Sequence, residues 1–214
     1  MTRLAYLHGF ASGPGSTKAQ FFKARFAEHG GELRVPDLAP DFTHMTIGSM
    51  LAIVDAILDD GPSLLFGSSL GGYMAALAAA RRPDRVPGLV LMAPAFDFAA
   101  RWERSVGETA MAKWRQRGTA PIWHYGHDRE EQLSIALLDD ARTYPAEPDP
   151  TGCQSLVFHG RHDDAVPLAA AEAFVAHRPE LRRLSVYDSG HELTDVLEPM
   201  WAESIGFLRG LHLA

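Results

Sequence analysis

Cysteine is almost missing from this chain: Cys153 is the single one in 214 residues. One thiol forms no internal disulfide, and it supplies neither a cysteine zinc site nor a redox pair. Lysine is scarce as well, with Lys18, Lys23 and Lys113 the only three. Long apolar runs are lacking. Met74–Ala80 is among the longest, far short of the roughly 18 residues that cross a bilayer. The apolar stretch Leu4–Leu7 is too short for the core of a signal peptide and runs straight into a turn at His8-Gly9. No fixed-period repeat and no low-complexity tract is visible. An excess of positive charge is lacking too. Lys+Arg number 20 against 27 Asp+Glu, for a net charge of −7, which argues against nucleic acid or another polyanion as the main ligand. Together these absences point to a cytoplasmic protein that acts on a small molecule and has no membrane or nucleic-acid partner.

What is present is an ordinary globular composition, 46% hydrophobic and 22% charged. Residues 1–214 are expected to form one domain, large enough to bury about 70% of its extended surface. Short apolar runs alternate with helical patterns. Strands are predicted at Leu4–Leu7, Glu32–Val35, Ser63–Gly67, Leu89–Ala93, Ser155–Phe158 and Arg183–Tyr187. Helices are predicted at Thr17–His29, Thr46–Leu58, Leu70–Ala80, Leu168–His177 and Thr194–Leu208. Such alternation implies an α/β fold: a mostly parallel six-stranded sheet covered by helices on both faces. The rhythm fails between Phe96 and Pro150, a segment without a clear strand that holds three tryptophans and one good helix pattern, Arg129–Ala141. It reads as a small helical cap inserted into the domain, placed over the carboxyl ends of the strands, where open α/β sheets bind ligands.

Gly67-Ser68-Ser69-Leu70-Gly71 matches Gly-x-Ser-x-Gly, with an apolar strand just before it and a small-residue helix just after. That context is the nucleophile elbow: the serine sits on a sharp strained turn, and small residues let strand and helix approach closely. A serine hydroxyl needs a base, and behind an elbow the chain order is serine, acid, histidine. His191, in Asp188-Ser189-Gly190-His191-Glu192, is the only histidine in the loop that directly follows the last strand. The preceding strand ends in His159-Gly160-Arg161-His162-Asp163-Asp164, where Asp163 is preferred to its neighbour Asp164 as the acid; Asp97 is a weaker alternative. An oxyanion hole needs two N–H donors. Leu70, after the nucleophile, and Phe10, in the loop after the first strand, are the candidates. The side chains of His8, Trp102, Trp114 and Trp123 are candidates for lining a substrate pocket, against plain packing of strand ends and cap.

Two other readings fail. Gly13-Pro14-Gly15-Ser16-Thr17-Lys18 fits neither phosphate-loop pattern. The groups His159, His162, Asp163, Asp164 and His124, His127, Asp128 lack a recognised metal spacing with a distant further ligand. No cofactor and no metal is expected.

The run Leu7-His8-Gly9-Phe10 with Ser12, Ser16 and Lys18, then Gly67-Ser68-Ser69-Leu70-Gly71-Gly72, resembles the small bacterial YqiA-like esterases of the α/β-hydrolase superfamily. His159–Pro167 and Ser189–His191 match that superfamily's acid and base signatures. Ala93–Phe98 and Leu133–Tyr144 are similar to acyl-glucuronide esterase and acyl-protein thioesterase relatives. The resemblance implies a three-layer α/β-hydrolase fold, minimal because the usual N-terminal antiparallel hairpin is absent. It implies Ser69 as nucleophile, Asp163 as acid, His191 as base, and backbone donors at Phe10 and Leu70. The expected reaction is hydrolysis of small carboxylic esters through an acyl-enzyme, with acyl thioesters second. A non-catalytic receptor on the same fold is the competing expectation.

Overall fold

The computed structural model describes residues 3–211. Its main sheet is built by β1 (Arg3–Leu7), β2 (Leu33–Arg34), β3 (Ser63–Ser68), β4 (Gly88–Met92), β7 (Gln154–Gly160) and β8 (Arg182–Tyr187), in the order β2-β1-β3-β4-β7-β8. Every pairing in it is parallel. The central strands are apolar throughout because both faces are covered. Leu65, Leu89, Leu91 and Val157 point into one core layer with α2 (Ile47–Asp59), α3 (Leu70–Arg81) and α7 (Leu168–Ala176). The alternate residues Leu64, Phe66, Val90, Met92, Leu156 and Phe158 point into the other, with α1 (Thr17–Glu28) and α8 (Leu197–Gly210).

Strand order places the site. The chain leaves β1 toward β2 at one edge, then returns to β3 and winds the other way to β4. The loops after β1 and β3 therefore part in opposite directions and open a crevice at the carboxyl ends of neighbouring strands. His8-Gly9-Phe10 follows β1, and Ser69 follows β3.

Two glycines set how closely α3 sits on the sheet. A Cβ added at Gly71 would lie 2.1 Å from the Leu7 carbonyl oxygen and 2.5 Å from that of His8. One added at Gly67 would lie 2.4 Å from the Gly71 oxygen. These neighbours are backbone and cannot swing aside. Gly71→Ala is therefore expected to destabilise the fold by about 3 kcal/mol or more, read as a lower denaturant midpoint.

The insertion between β4 and β7 corrects two expectations. It is helical in α4 (Phe98–Val106), α5 (Glu108–Arg117) and α6 (Ala136–Ala141), but it also holds an antiparallel hairpin of β5 (Thr119–His124) and β6 (Arg129–Ser134). The helix expected over Arg129–Ala141 is thus a strand followed by a short helix. Both strands of a two-stranded hairpin are edges, so Pro121 is tolerated in β5. In Arg129-Glu130-Glu131-Gln132-Leu133-Ser134 only Leu133 is fully buried, against the α5 indole of Trp114, whose Nε1–H donates to the Leu133 oxygen at 3.0 Å. The hairpin docks beside the β1 loop: Tyr125 N–H donates to the Ala11 oxygen at 2.8 Å, and His124 meets Phe42 edge-on at 4.7 Å.

Candidate active site

Ser69 joins β3 to α3 with φ 53° and ψ −118°. A non-glycine residue at such a φ is strained, and it persists only where its surroundings over-determine it. Here they do. Ser69 N–H donates to the Met92 oxygen at 2.9 Å, and the Ser69 oxygen accepts from Gly72, Tyr73 and Ala95 N–H at 2.9, 3.1 and 3.0 Å. The turn pushes Oγ out of the sheet toward the loop after β8.

His191 lies in that loop. Its Nε2 is 3.1 Å from Ser69 Oγ, and its Nδ1 is 2.8 Å from Asp163 Oδ2. The acid and base loops approach closely because Gly160 has no side chain; a Cβ there would sit 2.3 Å from the Gly190 oxygen. The Asp163 carboxylate is fully buried. Its Oδ1 accepts from the backbone N–H of Ala165 and Val166 at 2.9 and 2.7 Å. Its Oδ2 also lies 3.2 Å from Nε2 of the buried His159, a nitrogen that is 2.9 Å from the Val166 oxygen as well. Burial alone would raise this carboxyl's pKa. The hydrogen bonds from His159, His191 and Val166 outweigh it and hold the group well below the usual carboxylate range. Asp163 is therefore ionised at neutral pH. Its contribution to stability is present above the ordinary carboxylate pKa and is lost as pH falls toward the lowered one. Asp164 is exposed. Asp97 is engaged by Arg104 at 2.9 Å.

The loop after β1 passes close to Ser69: a Cβ at Gly9 would touch Ser69 Cβ at 3.5 Å. Phe10 N–H follows directly, and Leu70 N–H opens α3. Among the described residues neither donates a hydrogen bond within the protein, which leaves two N–H groups beside Oγ, one of them at a helix N-terminus.

Of the four pocket candidates, one stays at the crevice. The Trp102 ring meets Phe10 edge-on at 4.6 Å. Trp114 is buried in the cap, its ring 6.3 Å from that of Trp102, and Trp123 is 46% exposed on the hairpin. His8 is buried with both nitrogens used inside the protein. Nε2 accepts from Leu38 N–H at 3.0 Å, so Nδ1 carries the proton donated to the Gly9 oxygen at 3.0 Å. Burial lowers its pKa, and the two hydrogen bonds tie it to the β1 loop as a neutral imidazole. A separate groove of about 210 Å³, lined by Tyr73, Asp97, Glu103 and Arg142 among others, does not include the serine, the acid or the histidine.

Two contacts were not foreseen from the sequence. His159, read there as part of the acid signature and as a metal candidate but given no role toward the acid, lies 3.2 Å from Asp163 Oδ2. Lys18, from the first turn of α1, is buried and donates through Nζ to the Glu192 oxygen at 2.5 Å and to its carboxylate at 3.3 Å. It thereby ties down the residue after His191. Lys18 is one of only three lysines and stands in the run that carries the family resemblance, which was the available signal. Among the described residues no group of three or more His, Cys, Asp or Glu side chains is arranged to hold a metal ion, and no helix is long and apolar enough to cross a membrane.

Comparison with known proteins agrees with the fold. The profile of an uncharacterised protein family, UPF0227, matches residues 3–207. The mitochondrial palmitoyl-protein thioesterase ABHD10 of Bos taurus is 30% identical over 128 residues, 57% of this chain and 42% of that protein. Lipase LipV of Mycobacterium tuberculosis is 36% identical over 98 residues, 41% of this chain and 38% of its own length. The chain thus spans about two fifths of the curated relatives it matches. In three dimensions the alpha/beta hydrolase domain-containing protein 10 from mouse superposes with a TM-score of 0.75 at 21% identity, covering 97% of this chain and 90% of that one. The architecture is the α/β-hydrolase fold.

Proposed function

We propose, from the premise that the chain belongs to the UPF0227 family and has the α/β-hydrolase fold, that it is a serine hydrolase cleaving small carboxylic esters. The observation that carries this reading is the line of contacts from Ser69 Oγ through His191 to Asp163, at 3.1 and 2.8 Å, with the serine held at φ 53°.

Each group has a role. His191 Nε2 takes the proton of Ser69 Oγ as the oxygen attacks the substrate carbonyl carbon. The carbonyl oxygen becomes an oxyanion, received by the N–H groups of Phe10 and Leu70 and by the positive end of α3. The imidazolium is stabilised by Asp163, which also keeps the Nδ1–H tautomer. Collapse of the tetrahedral intermediate breaks the bond to the leaving oxygen, and His191 Nε2–H protonates it. Water then repeats the sequence on the acyl-enzyme: it gives a proton to His191, attacks the ester carbon, and releases the acid as Ser69 regains its hydrogen.

Acyl thioesters are the second substrate class. The named activity of the cattle relative is a thioesterase, and the proposed machinery acts on the carbonyl whichever atom leaves. The non-catalytic alternative makes the opposite prediction in one experiment. A fluorophosphonate probe is expected to label the folded protein at Ser69 and to leave Ser69→Ala unlabelled; a folded protein that takes up no label is a receptor instead.

A further inference from the structure

Arg101 is a cation of the cap that forms no ion pair among the described residues. It lies in α4, one residue before Trp102. Positions 98, 101, 102 and 105 share one face of a helix, and this face meets the β1 loop: the rings of Phe98 and Trp102 pack on Phe10 at 6.2 and 4.6 Å. The Arg101 guanidinium is drawn inward here. Its Nε and Nη1 are sealed from solvent, and among the described residues neither has a hydrogen-bond partner; the same holds for the neighbouring Trp102 Nε1.

An unpaired, partly buried guanidinium is costly, and buried donors in folded proteins nearly always find acceptors. The carboxylates within reach are already engaged. Asp97 holds Arg104, and Glu103 holds both Arg115 and Arg142. Asp163, the acid behind His191, is close enough for its charge to act on Arg101, but its oxygens are taken by His191, His159 and the Ala165 and Val166 N–H groups. Burial nevertheless lowers the Arg101 pKa, against the pull of Asp163 and Asp97 and with a smaller push in the same direction from Arg104; an arginine stays charged all the same. The other cap arginines named here have internal partners. Arg101 has an unmet need for an anion, beside the loop that carries Phe10.

We infer that Arg101 is a specificity residue that receives an ionised carboxylate on the substrate through Nη2, the one guanidinium nitrogen that is neither sealed nor bonded among the described residues, so that the preferred esters are anionic. This rests on the serine-hydrolase reading and names the substrate class of that same site. The protein's net charge of −7 repels anions at long range, so a preference for them would have to come from a local contact of this kind.

The test compares matched substrates. On the acyl side, p-nitrophenyl hexanoate is set against the p-nitrophenyl half-ester of adipic acid, which has the same six-carbon acyl chain ending in a carboxylate. On the alcohol side, methyl 4-acetoxybenzoate is set against 4-acetoxybenzoate. The readout is the ratio of kcat/KM for the anionic ester to that for the neutral one. The wild type is expected to favour the anion by about tenfold or more on one of the two sides. Arg101→Met is expected to lower that ratio at least about tenfold, and Arg101→Lys to recover part of it. A ratio near one on both sides in the wild type, or a ratio unchanged by Arg101→Met, overturns the inference. Hydrolysis of the neutral esters that disappears in Ser69→Ala would still uphold the serine-hydrolase reading in that event, so the two claims fail separately.

Discussion

Ser69→Ala is expected to cut kcat/KM for a p-nitrophenyl ester by about 10³-fold or more while the thermal midpoint stays within a few degrees. On the proposed mechanism the activity loss follows from removing the oxygen that forms the acyl bond. The fold should survive because what holds the elbow is backbone. Ser69 N–H and its carbonyl oxygen make four hydrogen bonds, to Met92, Gly72, Tyr73 and Ala95, and alanine keeps all four. Alanine also accepts φ 53° at about the same cost as serine, since both carry a Cβ. Residual turnover above the uncatalysed rate would come from Phe10 and Leu70 N–H acting on a water attack. A Ser69→Ala protein with near wild-type turnover would remove Ser69 from the chemistry altogether.

The elbow was legible because three independent signals converge on five residues: an apolar strand, a glycine on each side of the serine, and a helix poor in bulk. Gly67 and Gly71 are glycines for a reason that can be stated as contacts, 2.4 Å and 2.1 Å from backbone oxygens if a Cβ were added. His191 was legible from chain order alone. The choice between Asp163 and Asp164 was harder, because adjacent residues in a loop face different ways and no periodicity tells which way. Structure separates them by burial, with Asp163 accepting two N–H groups from the turn that follows it.

The cap was the least legible region, and the reason is physical. Its segments are short and half-solvated, so they carry weak patterns. β6 presents Arg129, Glu130 and Gln132 to solvent and fully buries only Leu133, and such a run fits a polar helix as readily as a strand. Pairing with β5 decides it, through contacts that lie outside any sequence window. The same holds for the tryptophans. Trp102, Trp114 and Trp123 look alike in composition, yet one packs on Phe10, one fills the cap core and one lies on the surface. His8 misleads in the same way: its position after β1 suggests a pocket wall, while its two nitrogens are used on Leu38 and Gly9.

Asp163→Asn and Asp164→Asn differ by one position and are expected to differ by about three orders of magnitude or more in kcat. In the native loop Asp163 Oδ1 accepts from Ala165 and Val166 N–H, while Oδ2 faces His191 Nδ1 and His159 Nε2. An asparagine has one acceptor oxygen. The two backbone donors claim it, since they cannot change character, and the amide nitrogen is then turned toward the two imidazoles. There its N–H groups meet Nδ1 of His191, which must become the acceptor. The ring proton moves to Nε2 and points at Ser69 Oγ. In that tautomer His191 cannot take the serine proton, so kcat falls by about 10⁴ with the scaffold largely intact. Asp164 is exposed, and its amide variant changes only surface charge, so kcat should stay within about threefold. Circular dichroism on both variants separates lost chemistry from lost folding. Equal losses in the two would mean that the loop, and not the Asp163 carboxylate, sets the imidazole; a larger loss in Asp164→Asn would move the acid by one residue and with it the tautomer argument.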